Sequence, residues 1–221
     1  MPRSRRVALG GICYHVLNRG NCRNTVFLEP CDYAGFVRLI GRANRRFRMR
    51  MLAYCLMPNH FHLVLWPRGD RDLGRWLHWL LTTQVRQHHA RHGTDGRIWQ
   101  GRTKQFPIQQ NQHLLNVMRY VERNPLRAGL VTRAEAWKWS SLGVISEPGR
   151  VPGLTSGPVP KYLNWQGFVN APITAAELAA MRNSVGRQAP YGEEGWALEA
   201  SSIHGNWYPL GGAAGGRPRS A

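Results

Sequence analysis

Apolar and polar positions follow one another along the chain with periods that predict a definite order of elements. Gly11 to Leu17 alternates and is rich in β-formers, which predicts a strand, and Asn18-Arg19-Gly20-Asn21 supplies the turn residues that end it. Pro30 and Asp32 open a helix on which Phe36, Leu39, Ile40, Ala43 and Phe47 recur at helical spacing. Met49 to Leu56 is a nearly unbroken apolar run, and Pro58-Asn59 separates it from a second extended segment, so the two predict a hairpin. Leu73, Trp76, Leu77, Leu80, Leu81 and Val85 return to the helical period, Thr103 to Ile108 reads as a short strand, and Asn111 or Gln112 opens another helix. The order strand, helix, strand, strand, helix, strand, helix predicts an α+β fold, a ferredoxin-like antiparallel sheet with helices packed against it.

Beyond about Val131 the pattern weakens. Trp137, Trp139, Ser140 and Ser141 read as a docked segment, Pro148 to Pro160 as a Pro/Gly-rich linker, and Ala175 to Val185 and Glu193 to Ile203 as short helices. These shifts divide the chain into a main domain over 5–145, a C-terminal extension over 146–210 and a disordered tail over 211–221.

The second strand of the hairpin carries the first chemistry. His60 and His62 stand two apart, so on a strand their imidazoles share one side, while Phe61, Leu63 and Leu65 take the other and face a core. Two imidazoles on one face form a pair of potential metal ligands. His88 and His92 are one helical turn apart, but at the polar end of a helix they read as exposed.

Charge changes the picture further. Thirty Lys plus Arg against twelve Asp plus Glu give a formal charge of +18, with Lys104, Lys138 and Lys161 the only lysines. Arginine grips phosphate bidentately and stacks on bases, which points to a polyanionic partner. Arg42, Arg45 and Arg46 crowd the end of the first helix, where they suit the helix dipole and also build a basic patch. No stretch reaches the roughly 18 apolar residues of a membrane span, and the N-terminus lacks an apolar signal core. Cys13, Cys22, Cys31 and Cys55 show no C-x-x-C pairing, so a cytoplasmic protein with free thiols is expected.

On the helix from Leu114 to Asn124, Leu114, Val117, Met118 and Val121 form the buried stripe. Tyr120 and Asn124 lie side by side at its edge, so a phenol and an amide oxygen reach toward one point. Asn124 also precedes Pro125, a position that suits a helix cap.

The stretch Met57-Pro58-Asn59-His60-Phe61-His62, then Trp99-Gln100-Gly101-Arg102, then Arg119 to Val131 with Tyr120, Asn124 and Pro125, resembles the REP-associated tyrosine transposases. These belong to the His-hydrophobic-His single-tyrosine DNA endonucleases. Tyr14-His15-Val16-Leu17-Asn18-Arg19-Gly20-Asn21 and Trp139-Ser140-Ser141 are similar too, so the resemblance covers residues 5 to 145. Thr103 stands where family members often carry an aromatic residue, and Gly216-Arg217-Pro218 is similar to a common family ending.

The resemblance implies that Tyr120 is the nucleophile and that His60, His62 and Asn124 bind Mg²⁺ or Mn²⁺. It implies a substrate of single-stranded, hairpin-forming DNA, a 5′-phosphotyrosine intermediate and a free 3′-hydroxyl that reverses the attack. A phenol is largely protonated at neutral pH, and adjacent metal and arginine charge favours phenolate. Candidate DNA contacts are Arg19, Arg42, Arg45, Arg46, Trp99, Arg102, Arg119, Arg123 and Arg127. A homodimer would place Tyr120 in trans. The competing reading is an inactive, arginine-rich DNA-binding protein that serves as a regulator or structural binder. A zinc-stabilised RNA-binding domain lacks the four-ligand spacing that a structural zinc site needs.

Overall fold

The computed structural model describes residues 8–145, 153–187 and 189–203. The expected tail over 211–221 and the Gly216-Arg217-Pro218 ending lie outside the described residues. Strand β1 (Cys13–Arg19), helix α1 (Pro30–Phe47), strands β2 (Arg50–Met57) and β3 (His60–Trp66), helix α2 (Asp72–His92), strand β4 (Lys104–Ile108) and helix α3 (Gln112–Glu122) follow in the predicted order. The strands form one sheet in the order β2-β3-β1-β4, antiparallel throughout. Such an order leaves β1 and β3 central, supported on both sides.

The sheet separates two cores. On one face Tyr14 and Val16 of β1 and Phe61, Leu63 and Leu65 of β3 pack against α1 and α2, with Trp76 fully buried among them. The other face carries Cys13, Val64 and Ile108 and is covered by Leu114, Val117, Met118 and Val121 of α3. The period of two therefore divides each strand between two cores rather than between core and solvent. A register shift between Met51 and Ala53 turns both Leu52 and Ala53 of β2 toward α3.

Helix α3 breaks earlier than its periodicity predicts. Pro125 has no N–H to return to Val121, so α3 stops at Glu122 and a separate turn, α4 (Asn124–Arg127), follows Arg123. Helices α5 (Ser141–Ile145), α6 (Trp165–Asn170), α7 (Ala175–Arg187) and α8 (Glu194–Ile203) complete the described chain. The pattern predicts α7 and α8, but α6 is too short to show a period and is held by Trp165 and Val169, one turn apart and buried.

The extension closes the sheet edges. Leu56 N–H donates to Trp139 O at 2.9 Å and Thr155 N–H to Met51 O at 2.9 Å along β2, so part of the predicted linker pairs as a strand would. Tyr191 N–H donates to Pro107 O at 3.0 Å on β4. Exposed strand edges invite pairing with other chains, and these segments occupy them. No helix among the described residues is long and apolar enough to cross a membrane.

Candidate active site

The register places the site at one end of the sheet. His60 is the first residue of β3 and pairs with Arg19, the last of β1, while His62 pairs with Leu17. Both imidazoles lie on the α3 face, their ring centroids 5.0 Å apart and nearly perpendicular. From across this face α3 delivers Tyr120, its ring centroid 5.8 Å from that of His62. Asn111 caps α3, its side chain accepting from His113 N–H at 2.9 Å, and the apolar stripe docks the helix so that Tyr120 meets the histidines.

Each histidine is fixed through Nδ1. His60 Nδ1 lies 2.7 Å from Asn59 Oδ1, and His62 Nδ1 lies 2.9 Å from Nε2 of His15. Both therefore keep Nε2 as the remaining ring nitrogen, the arrangement by which a partner orients a metal-ligating imidazole. Burial, helped by the charges of Arg19 and Arg127, pushes His60 down to about 4. His62 is held well below its usual value by burial and by its His15, His60, Arg127 and Arg19 neighbours. Burial takes His15 to about 3. Neutral imidazole is the form that ligates a cation.

Asn124 is fully buried one turn beyond Tyr120, but its amide is committed within the chain. Its Nδ2 donates to Tyr120 O at 3.0 Å and its Oδ1 accepts from Arg127 Nη2 at 2.7 Å. The Arg127 guanidinium stands 5.8 Å from the Tyr120 ring centroid. Among the described residues no group of three or more His, Cys, Asp or Glu is arranged to hold a metal. The two imidazoles are donors suited to a divalent cation, and Asn124 Oδ1, which accepts from Arg127, retains a second lone pair.

Three of the expected DNA contacts have partners within the chain. Trp99 is largely buried against Phe27, Phe36 and Phe61, its Nε1 donates to Gln84 Oε1 at 2.9 Å, and the ring lines the cleft that it shares with Leu77, Leu81 and Arg102. Arg119 is buried, donating to Ala171 O at 2.8 Å and Pro172 O at 2.6 Å with its guanidinium over Phe168. Arg123 donates to Val169 O at 3.0 Å and to Asn170 O. Both arginines therefore clasp the extension to the end of α3, Arg119 buried and Arg123 part-exposed. Arg19, Arg42, Arg45, Arg46 and Arg102 are exposed, with Arg42 and Arg46 flanking the Trp79 ring. His92 bonds Asp32 at 3.0 Å and joins the end of α2 to the start of α1.

His15 is the site residue that spacing alone does not single out. Cys13, His15 and Leu17 share a face by alternation, yet nothing in β1 says that β3 will lie beside it. A second group that periodicity hides is the buried Glu122, which accepts from Ser141 Oγ at 2.5 Å and Trp165 Nε1 at 2.6 Å.

A four-stranded antiparallel sheet whose histidine-paired strand faces a helix-borne tyrosine places this molecule in the transposase class. The chain belongs to the IS200-like transposase family, whose sequence pattern matches residues 9–124, more than half of its length. It is similar to a Haemophilus influenzae protein named as a REP-associated tyrosine transposase, at 28% identity over 102 residues. That match takes in 41% of this chain and 57% of the relative, so the chain spans little more than half of that protein's length. A solved REP-associated tyrosine transposase bound to a REP hairpin shares the fold, with a TM-score of 0.54 at 21% identity over 79% of this chain and all of that one.

Proposed function

We propose that the chain is a metal-dependent single-stranded DNA endonuclease and strand transferase, acting on hairpin-forming DNA through Tyr120. The observation that carries this reading is the Tyr120 ring set 5.8 Å from His62 on one side and 5.8 Å from the Arg127 guanidinium on the other. Family membership supports a transposase, and the hairpin-bound neighbour supports hairpin DNA as the substrate class.

The Tyr120 hydroxyl oxygen attacks phosphorus in line and forms a phosphodiester to the 5′ end of the downstream fragment. The bond from phosphorus to the 3′ oxygen breaks, and that oxygen leaves as a 3′-hydroxyl carrying the proton given up at the phenol. Attack by another strand's 3′-hydroxyl on the phosphotyrosine runs the same reaction backwards and rejoins DNA. His60 and His62 would hold Mg²⁺ or Mn²⁺ through Nε2, which would polarise the scissile phosphate and orient it. Arg127 places a positive charge beside the phenol, where negative charge gathers as the scissile phosphate is attacked. His15 and Asn59 keep the two imidazoles in place, and the surrounding core limits the entry of water. Tyr120 faces histidines of its own chain, so the reaction is written in cis.

Incubation with a hairpin oligonucleotide bearing unpaired flanks is expected to leave a protein-DNA adduct that survives denaturing electrophoresis. Chelator should abolish the adduct, and Tyr120→Phe should give none. An equal adduct from Tyr120→Phe would remove Tyr120 from the reaction. Binding that persists while no adduct ever forms would favour the inactive DNA-binding alternative.

A further inference from the structure

At the end of the sheet away from His60, four arginines surround an open cleft. Strand β3 carries His60 at one end and Trp66 at the other, about 20 Å away at the rise of an extended chain. Arg50 is the register partner of Trp66, and Arg48, which closes α1, stands just before it. With Arg45 and Arg68 they line a cleft of about 430 Å³, and no carboxylate or aromatic ring is among the lining residues. Arg50 is pinned, its guanidinium 3.3 Å from the Trp66 ring centroid, its Nε donating to Trp66 O at 3.1 Å and its Nη2 to Pro67 O at 3.2 Å. Arg45, Arg48 and Arg68 are exposed, and none of the four forms an ion pair among the described residues. Asp70 and Asp72, on the loop after Arg68, instead accept from the backbone N–H groups of Gly10 and Gly69, each at 2.8 Å. Burial, followed by the charge of Arg68, lowers the Arg50 pKa, so the cluster repels itself. The C-terminus of α1 offers only about half a negative charge against it.

We propose that this cleft is a second DNA site, which grips the backbone of a duplex other than the hairpin whose strand is cut; it rests on the function given above. Strand transfer brings a 3′-hydroxyl from another strand to the phosphotyrosine, so the reaction has two DNA segments to hold. Guanidinium forks pair with phosphate oxygens, and a duplex carries one phosphate per roughly 1.7 Å of its axis. A lining without aromatic rings contacts phosphates and leaves bases unread, which suits a duplex of any sequence. The cationic surface continues along α1, where Arg42 and Arg46 flank Trp79 and offer the duplex further phosphate partners. Distance separates the two segments. A hairpin seated at His60 needs a stem of about six pairs to span the sheet, so a shorter one leaves the cleft free.

The experiment uses the full chain and a bead-tethered, flanked hairpin with a stem of about five GC pairs. Beads carrying one chain per hairpin are offered a labelled, blunt duplex of unrelated sequence, which wild type should capture. Arg48→Gly with Arg68→Ser removes two of the cations, and glycine keeps the left-handed backbone of residue 48 at φ 49°. That variant should capture the duplex about tenfold more weakly, with a salt slope smaller by about two. Its affinity for the hairpin alone and its covalent adduct should stay within about twofold of wild type. The charge-matched Arg182→Ser with Arg187→Ser, at exposed positions of α7, should capture the duplex as wild type does. Should the first variant fail to fold, Arg68→Ser alone decides, with a slope smaller by about one. No capture by wild type overturns the proposal, as does an equal loss in the two double variants. So does a loss of hairpin affinity in Arg48→Gly with Arg68→Ser that grows as the stem is lengthened, which would give the cleft to the hairpin's own stem. Unchanged capture in that variant overturns it too, and lost binding of inorganic pyrophosphate would then assign the cleft to a free anion. An adduct without duplex capture overturns the second site only, and no adduct from wild type overturns the reaction whatever the duplex does.

Discussion

Nε2 of His15 lies 2.9 Å from Nδ1 of His62, joining the middle of β1 to the candidate metal-binding strand. His15 is fully buried, its ring edge-on to Phe106 at 4.9 Å, and its own Nδ1 has no hydrogen-bond partner among the described residues. A buried imidazole with an unpaired nitrogen is costly, so its place beside His62 is explained by function better than by stability.

His15→Phe keeps the ring and removes the bond to His62. Affinity for Mn²⁺, titrated on the free protein, should fall about 10- to 100-fold, the usual effect of losing a partner behind a metal ligand. Thermal unfolding should change little, because the unpaired His15 Nδ1 that leaves offsets the His62 Nδ1 that loses its partner. Unchanged Mn²⁺ affinity would make His15 a packing residue only.

Glu122 is the buried anchor of the extension, with Ser141, Trp165 and, at 4.0 Å, Lys161 around its carboxylate. Truncation to Ala leaves the buried Trp165 indole N–H unpaired and Ser141 Oγ only its Tyr54 backbone partners, and should cost about 3 kcal/mol in urea unfolding. Burial raises the Glu122 carboxyl above its usual range, against the lowering effects of Lys161, Ser141 and Trp165. A raised folded-state value means that the folded chain holds the proton more tightly than the unfolded one. Stability from this group is thus full below the ordinary carboxylate range and is lost as pH rises through the raised value. The advantage of wild type over Glu122→Gln should therefore shrink as pH climbs from about 4. An advantage that grows with pH would mean that Lys161 outweighs burial.

Two arginines should separate cleanly. Arg46→Ala removes an exposed cation and is expected to reduce the slope of log affinity for DNA against log salt by about one. Arg119→Ala should leave that slope unchanged and cost about 2 kcal/mol of stability, since its guanidinium bonds Ala171 and Pro172 carbonyls. A changed slope for Arg119→Ala would put its side chain on DNA.

Gly20 carries the turn that backs His60. Its N–H donates to Asn59 O at 2.7 Å, and a Cβ there would meet Asn24 O at 2.2 Å. Gly20→Ala should destabilise the fold by about 1–3 kcal/mol and lower adduct yield as Asn59 shifts behind His60. Full stability in denaturant titration would show that the turn yields at no cost.

Much of the fold was legible because its signals are local. Alternation at His60, Phe61, His62, Leu63 identified a two-faced strand, and the period of Leu114, Val117, Met118 and Val121 identified the helix that covers it. The pattern was silent where a residue's contacts depend on a distant neighbour. Trp99, Arg119 and Arg123 have the residue types of DNA contacts, but Gln84 and the carbonyls of residues 169–172 claim them, and sequence spacing holds no record of those partners.

The sequence by itself determined the element order, the shared face of His60 and His62, the edge position of Tyr120 and the arginine-rich charge, because each follows from backbone period and residue chemistry. The tertiary structure alone decided that β1 lies between β3 and β4, bringing His15 behind His62. It also decided that the histidine face is closed by α3, and that a cleft opens on the opposite side. Those outcomes depend on which elements pair across long stretches of chain, where side chains separated in sequence meet only once the sheet has formed.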